Sequence, residues 1–249
     1  LIGPIEQEER FKMTNLEIRG LIETSFLDWD GKIVATIYVP RCNFRCPFCH
    51  NSGLIENPDH HEIIPLEKIE DLLLKHKDFM DGICLTGGEP TLHNKKGLLE
   101  FIKRIKNLGF LVKFDSNGTS PETLQDLIKQ KLIDYIAMDI KGPLDQRYDK
   151  LSGVKTNLHK IKQSIEIIMT SGLAYEFRTT VVASLLDTGD IEDIARHIAG
   201  AEKFVLQQFV PEHTWAESLR SVKAYERSKL EEMAQVAKPY VTKTLIRGA

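Results

Sequence analysis

From Lys32 onward, short apolar runs rich in β-branched residues alternate with longer stretches of helical periodicity, and this alternation limits the fold more than any other feature of the chain. Strands are expected at Ile33–Tyr38, Gly82–Thr86, Phe110–Phe114, Tyr135–Ile140, Tyr175–Val182 and Phe204–Phe209, with a short last one at Val241–Ile246. Helices are expected at Leu66–Lys75, Lys96–Leu108, Pro121–Gln130, Leu158–Ser171, Asp190–Ala199 and Ala224–Ala237. Ser120 before Pro121 is an N-cap followed by proline at the first helical position, and Gly109 and Gly172 stand where helices should end left-handed. Six strand-then-helix units predict parallel strands with right-handed crossovers, an α/β partial barrel of the (β/α)6 kind. No linker divides the chain, so residues 16–249 read as one domain. Residues 1–15 read as an N-terminal extension, with Met13 as an alternative start.

Strands covered by helices should be apolar on both faces, so polar residues inside them are costly unless paired. Lys113 and Asp115 share one face of their strand, as do Asp139 and Lys141, and Glu176, Arg178 and Thr180. Nearly all of these interruptions fall at the C-terminal ends of strands, together with Gly87 and Gln208. In βα barrels that end carries the active site.

A net charge of −3 gives no electrostatic drive toward nucleic acid or an anionic membrane. No apolar run is long enough to span a bilayer, and the charged start at Glu6–Arg10 does not resemble a signal peptide, so a cytoplasmic protein is expected. Of four cysteines, three lie within eight residues in Arg41-Cys-Asn-Phe-Arg-Cys-Pro-Phe-Cys-His-Asn51, a Cys-x3-Cys-x2-Cys loop just after the first strand. Three thiolates cannot saturate a four-iron cluster, which leaves one iron open to a non-protein ligand. The alternative is a structural zinc with His50 as fourth ligand, although no second cysteine pair exists. Cys84 reads as a small core residue.

The cysteine loop, with Gly87-Gly-Glu-Pro90 about 45 residues downstream, resembles the radical S-adenosylmethionine (SAM) superfamily. Within it the chain is most similar to activating enzymes of glycyl-radical enzymes, of the anaerobic ribonucleotide reductase and pyruvate formate-lyase types. The resemblance implies that Cys42, Cys46 and Cys49 hold a [4Fe–4S] cluster whose fourth iron takes SAM. Reductive cleavage would give a 5′-deoxyadenosyl radical that abstracts hydrogen from a glycine of the partner. A flavodoxin or ferredoxin-type protein would donate the electron, and neither nucleic acid nor membrane would take part. Phe48 and the His50 backbone would lie near the adenine. Gly87, Gly88 and Glu89 would bind the methionyl amino group, and Lys141 and Arg178 the carboxylate, with Gln208 a further contact.

Asp115-Ser-Asn-Gly118 resembles the segment that helps bind a monovalent cation, Na⁺ or K⁺, beside SAM in pyruvate formate-lyase activating enzyme. Asp115, Ser116, the Met138 carbonyl and Asp139 would be the ligands, with Asn117 in the same turn. Read from the residues alone, Asp115–Gly118 could be a turn, Asp139 and Lys141 an ion pair, and Arg178 a partner of Glu176 or of another carboxylate. A SAM-dependent reaction on a small molecule or peptide, and a zinc-stabilised binding module, stay open as other functions.

Overall fold

The computed structural model describes residues 16–248, so the expected N-terminal extension, with Met13, lies outside the described residues. The strands are β1 (Gly20–Ser25), β2 (Val34–Val39), β3 (Gly82–Gly87), β4 (Leu111–Ser116), β5 (Tyr135–Asp139), β6 (Ala174–Val181), β7 (Lys203–Gln208) and β8 (Lys243–Arg247). They follow one another in chain order in a mostly parallel, eight-stranded sheet. The helices are α1 (Ser52–Glu56), α2 (Leu66–Lys75), α3 (Lys95–Asn107), α4 (Pro121–Lys129), α5 (Arg147–Ser152), α6 (Leu158–Met169), α7 (Thr188–His197) and α8 (Arg227–Ala237).

The described residues gather into two interleaved units. The first runs to Asn43 and adds Gly53–Ser116 and Glu122–Ile136; the second holds Phe44–Ser52, Asn117–Pro121 and everything from Ala137. In the first, β1 pairs antiparallel with β2, and β2, β3 and β4 are parallel neighbours. Ile37, Val39, Ile83, Leu85, Val112 and Phe114 are buried, so these strands read as largely apolar runs broken by Thr36, Lys113 and Asp115. Against them α2 buries Ile69 and Leu73, and α3 buries Leu98, Phe101, Ile102 and Ile105, the spacing of one helical face. Each fully buried side chain of this kind is worth about 1.5–3 kcal/mol. Asn94 caps α3 by accepting from the Gly97 amide.

In the second unit β6, β7 and β8 are parallel. α6 buries Ile161, Ile165 and Ile168, and α7 opens with a reciprocal capping box between Asp187 and Asp190. Glu176 on β6 is buried, and its carboxylate receives Arg247 of β8 at 2.9 and 3.1 Å.

The six expected βα strands are all present, within a residue or two of their expected bounds. β1 went unread because it is an edge strand with three of its six residues exposed, which leaves little apolar pattern. β4 runs past Phe114 to Ser116, since Asp115 and Ser116 are buried within the strand instead of ending it.

Candidate active site

After β2 the chain turns through Arg41, in a left-handed conformation (φ 62°), with its guanidinium on Glu17 and its amide on the Leu54 carbonyl at 3.1 Å. Cys42 follows, its thiol 3.9 Å from Asn43 Oδ1. In the second unit the Cys49 amide donates to the Cys46 carbonyl at 3.0 Å, a tight turn that sets these two residues, and the Arg45 amide donates to Ser152 at 2.7 Å. None of the four cysteines is in a disulfide. Burial pushes the Cys46 thiol up to about 11 and raises Cys49 as well.

The segment after β7 fastens this loop. The Trp215 amide donates to Cys49 at 3.1 Å and the Ala216 amide to Pro47 at 2.8 Å. His50 Nε2 donates to the Val210 carbonyl at 2.8 Å, and the Arg45 guanidinium lies 5.5 Å from the centre of the Trp215 ring. Phe48 is buried within the loop.

In the first unit, Gly87 and Gly88 close β3 against the 39–41 backbone. The Gly88 amide donates to Val39 at 2.8 Å and the Glu89 amide to Arg41 at 2.9 Å. A Cβ on Gly88 would meet the Arg41 carbonyl oxygen at 1.9 Å, so only glycine fits this approach. Glu89 is almost wholly buried; its Oε1 accepts from the Thr91 amide (3.1 Å), the Thr91 hydroxyl (2.7 Å) and the Ser116 hydroxyl (3.0 Å). On β4, Lys113 donates to Asp115 Oδ1 at 2.7 Å, with Cys84 Sγ 3.7 Å from the ammonium. Burial, with Asp28, Cys84 and Asp115 nearby, pushes the Tyr38 hydroxyl up to about 12.

In the second unit, Asn117 Oδ1 accepts from the Thr119 amide (3.1 Å) and hydroxyl (2.7 Å), the side-chain turn that an Asn-Gly pair favours. Gly118 is left-handed (φ 77°), its carbonyl accepts from Ser164 Oγ at 2.7 Å, and a Cβ there would meet Met138 Cε at 2.1 Å. Gly118→Ala is therefore expected to cost about 1–2 kcal/mol, read as a lower urea midpoint, with iron content unchanged.

Asp139, the last residue of β5, takes Arg178 Nε on one oxygen at 2.8 Å and Lys141 Nζ on the other at 3.2 Å. Burial alone would raise the Asp139 carboxyl, but Arg178 and Lys141 outweigh it and hold it well below the usual carboxylate range. Lys141 is correspondingly raised by Asp139 against the effect of its own burial. The Lys141 amide donates to the buried Tyr148 hydroxyl at 3.3 Å. Gln208 ends β7; its Nε2 donates to Tyr225 at 2.7 Å while its Oε1 is buried without a hydrogen-bond partner.

Both simple readings of the polar pairs hold in part: Asp115–Gly118 includes a built turn, and Asp139 with Lys141 is an ion pair. Arg178 pairs with Asp139, and Glu176 is attended by Arg247 and Lys203. Sequence reading gave no role to Arg45 or to the Trp215–Ala216 backbone; their only signal was proximity to the cysteines and to the rim. Among the described residues, no three His, Cys, Asp or Glu side chains gather as a single-ion site. No helix of the described residues is long and apolar enough to cross a membrane.

The first unit thus holds a glycine pair pressed on the preceding strand, and the second a cluster of Asp139, Arg178 and Lys141. The profile of the Radical SAM superfamily matches residues 36–201, and the chain belongs to that superfamily. It is 34% identical over 236 residues to the Methanocaldococcus jannaschii protein named "Putative glycyl-radical enzyme activating enzyme MJ1227", spanning 92% of this chain and 95% of that one. It is 25% identical over 213 residues to the pyruvate formate-lyase-activating enzyme of Clostridium pasteurianum, covering 82% of each. A solved domain of pyruvate-formate lyase-activating enzyme from Bacteroides vulgatus superposes with a TM-score of 0.55 at 18% identity, over 67% of this chain and 99% of that one, a likeness of fold.

Membership implies a [4Fe–4S] cluster and SAM, and the donor set fits both: three thiols leave one iron open, and Gln208 Oε1 is an acceptor awaiting a donor. The expected monovalent cation does not fit. Asp115 already carries Lys113, and Asp139 carries both Arg178 and Lys141, so neither carboxylate lacks positive charge.

Proposed function

We propose that this chain is a radical SAM activase of a glycyl-radical enzyme, residues 16–249 acting as one domain. The observation that carries this reading is identity running through nearly the full length of both this chain and the Methanocaldococcus jannaschii relative. Cys42, Cys46 and Cys49 would hold the cluster, which together with SAM and one electron would supply the radical chemistry for taking a hydrogen atom from a glycine of the partner.

The chain's own residues orient and enclose. Gly87, Gly88 and the Glu89 backbone receive the methionyl amino group. Lys141 and Arg178, both held by Asp139, present fixed positive charge to the SAM carboxylate, so little ordering is left to be done on binding. Phe48 and the His50 backbone face the adenine, Ser116 and Asn117 shape the turn beside SAM, and Gln208 Oε1 accepts a hydrogen bond from it. A flavodoxin or ferredoxin-type donor supplies the electron.

The test is anaerobic incubation of the reconstituted protein with SAM, reductant and an anaerobic ribonucleotide reductase or pyruvate formate-lyase type partner. A glycyl-radical doublet in electron paramagnetic resonance, formed alongside 5′-deoxyadenosine, is expected. 5′-Deoxyadenosine without a glycyl signal on either partner type would instead mark a small-molecule or peptide substrate.

A further inference from the structure

The four groups expected to bind a monovalent cation are Asp115, Ser116, the Met138 carbonyl and Asp139. The expectation of a cation came from the resemblance of Asp115–Gly118 to a cation-binding segment, and two carboxylates lacking counter-charge would favour such an ion. In the folded chain each carboxylate has its own. Lys113 is 2% exposed, and its ammonium sits 2.7 Å from Asp115 Oδ1. A lysine buried so deeply persists only beside an anion, so this pair is part of how β4 is built. Asp139 is bound on both oxygens by two cations, Arg178 and Lys141. The Ser116 hydroxyl donates to Glu89 at 3.0 Å and brings no charge of its own.

An alkali ion entering here would shed water to reach a carboxylate whose charge an ammonium already balances. The lysine head group is itself a compact monovalent cation on a tether, present at unit occupancy whatever the salt. We infer that Lys113 takes the place of the monovalent cation: it holds Asp115 as a positioning residue, and SAM binds to this chain without Na⁺ or K⁺. This rests on the placement of SAM beside the Ser116–Asn117 turn, next to Asp115, in the function proposed above.

The test is calorimetric SAM binding to the cluster-loaded protein in tetramethylammonium buffer against K⁺ and Na⁺ buffers, with thallium-205 resonance broadening as a direct probe of ion binding. The wild-type dissociation constant is expected to agree within about twofold across the buffers, where a tenfold change would correspond to about 1.4 kcal/mol. Thallium should show no saturable site. Lys113→Ala removes the charge and leaves room for an ion, so its SAM affinity should fall about tenfold in tetramethylammonium and recover with K⁺ or Na⁺. Lys113→Met removes the charge but fills the space, so its affinity should fall and stay low in every buffer.

A wild-type affinity that collapses in tetramethylammonium would overturn the inference, and that arm needs no variant to fold. So would a folded Lys113→Ala protein that binds SAM like wild type without alkali ions, or that no ion rescues. Failure of SAM to bind in any buffer would sink the functional reading and this inference together. Ion-dependent binding would sink this inference alone.

Discussion

Alanine at any one of Cys42, Cys46 or Cys49 is expected to abolish cluster assembly and SAM cleavage, whereas Cys84→Ala should keep its full iron. The loop supplies three thiolates, the minimum that leaves one iron of a four-iron cluster open to SAM. Removing one leaves no substitute. Cys84 is fully buried, its sulfur 3.7 Å from Lys113 Nζ and 3.8 Å from Asp115 Oδ1, which fixes it inside the first unit. Iron and acid-labile sulfide per chain after anaerobic reconstitution decide the matter: about four of each in wild type and Cys84→Ala, and little in the other three variants. Iron retained by Cys49→Ala but lost from Cys84→Ala would reverse the ligand assignment. His50 offers no rescue as a zinc-type ligand through Nε2, which is committed to the Val210 carbonyl.

Asp139→Ala should be the most destabilising of the charge substitutions. It removes the one carboxylate shared by Arg178 and Lys141 and leaves two like charges near each other, largely buried. Breaking a buried pair this way costs about 3–5 kcal/mol. Lys141→Ala and Arg178→Ala each leave Asp139 one partner, so they should fold better and instead lose about 1.5–3 kcal/mol of SAM affinity. The two effects separate by method: urea midpoints for Asp139→Ala, calorimetry with SAM for the other two. The pH dependence carries a sign. The folded Asp139 carboxyl sits below its unfolded value near 3.9, so its contribution is complete above about pH 5 and fades as acid protonates it. The stability gap between wild type and Asp139→Asn should therefore be flat from about pH 5 to 8 and narrow only in acid. A gap that widens toward low pH would mean that Asp139 is not the anion of this pair.

The strands with two buried faces were legible because burial writes itself as continuous apolar runs, as at Ile83–Leu85. Their polar ends were legible for the converse reason: Asp115 and Asp139 stand out against those runs. Lys113 and Asp115 could be placed on one face by their spacing of two, and Asp139 and Lys141 likewise. Arg178 could not be given its partner, because the pairing of β5 with β6 brings together residues 39 positions apart, and periodicity within a strand says nothing about its neighbour. Glu176 and Arg247 escaped for the same reason at a separation of 71 residues. β1 was lost to exposure: an edge strand needs apolar residues on one face at most, and its exposed Ile22 and Glu23 carry no burial signal.

The bonds from Trp215 and Ala216 to the cysteine loop bear on the order of events during translation. Cys42 to Cys49 leave the ribosome first. The peptide groups that fix Pro47 and Cys49 follow only after some 165 further residues have been made, roughly ten to thirty seconds at ordinary elongation rates. Through that interval the thiols ride on a nascent loop whose downstream fastening does not yet exist. The cysteine loop is in that sense a feature finished long after it is made: its sequence comes first, and the bonds that fix it arrive with residues 215 and 216.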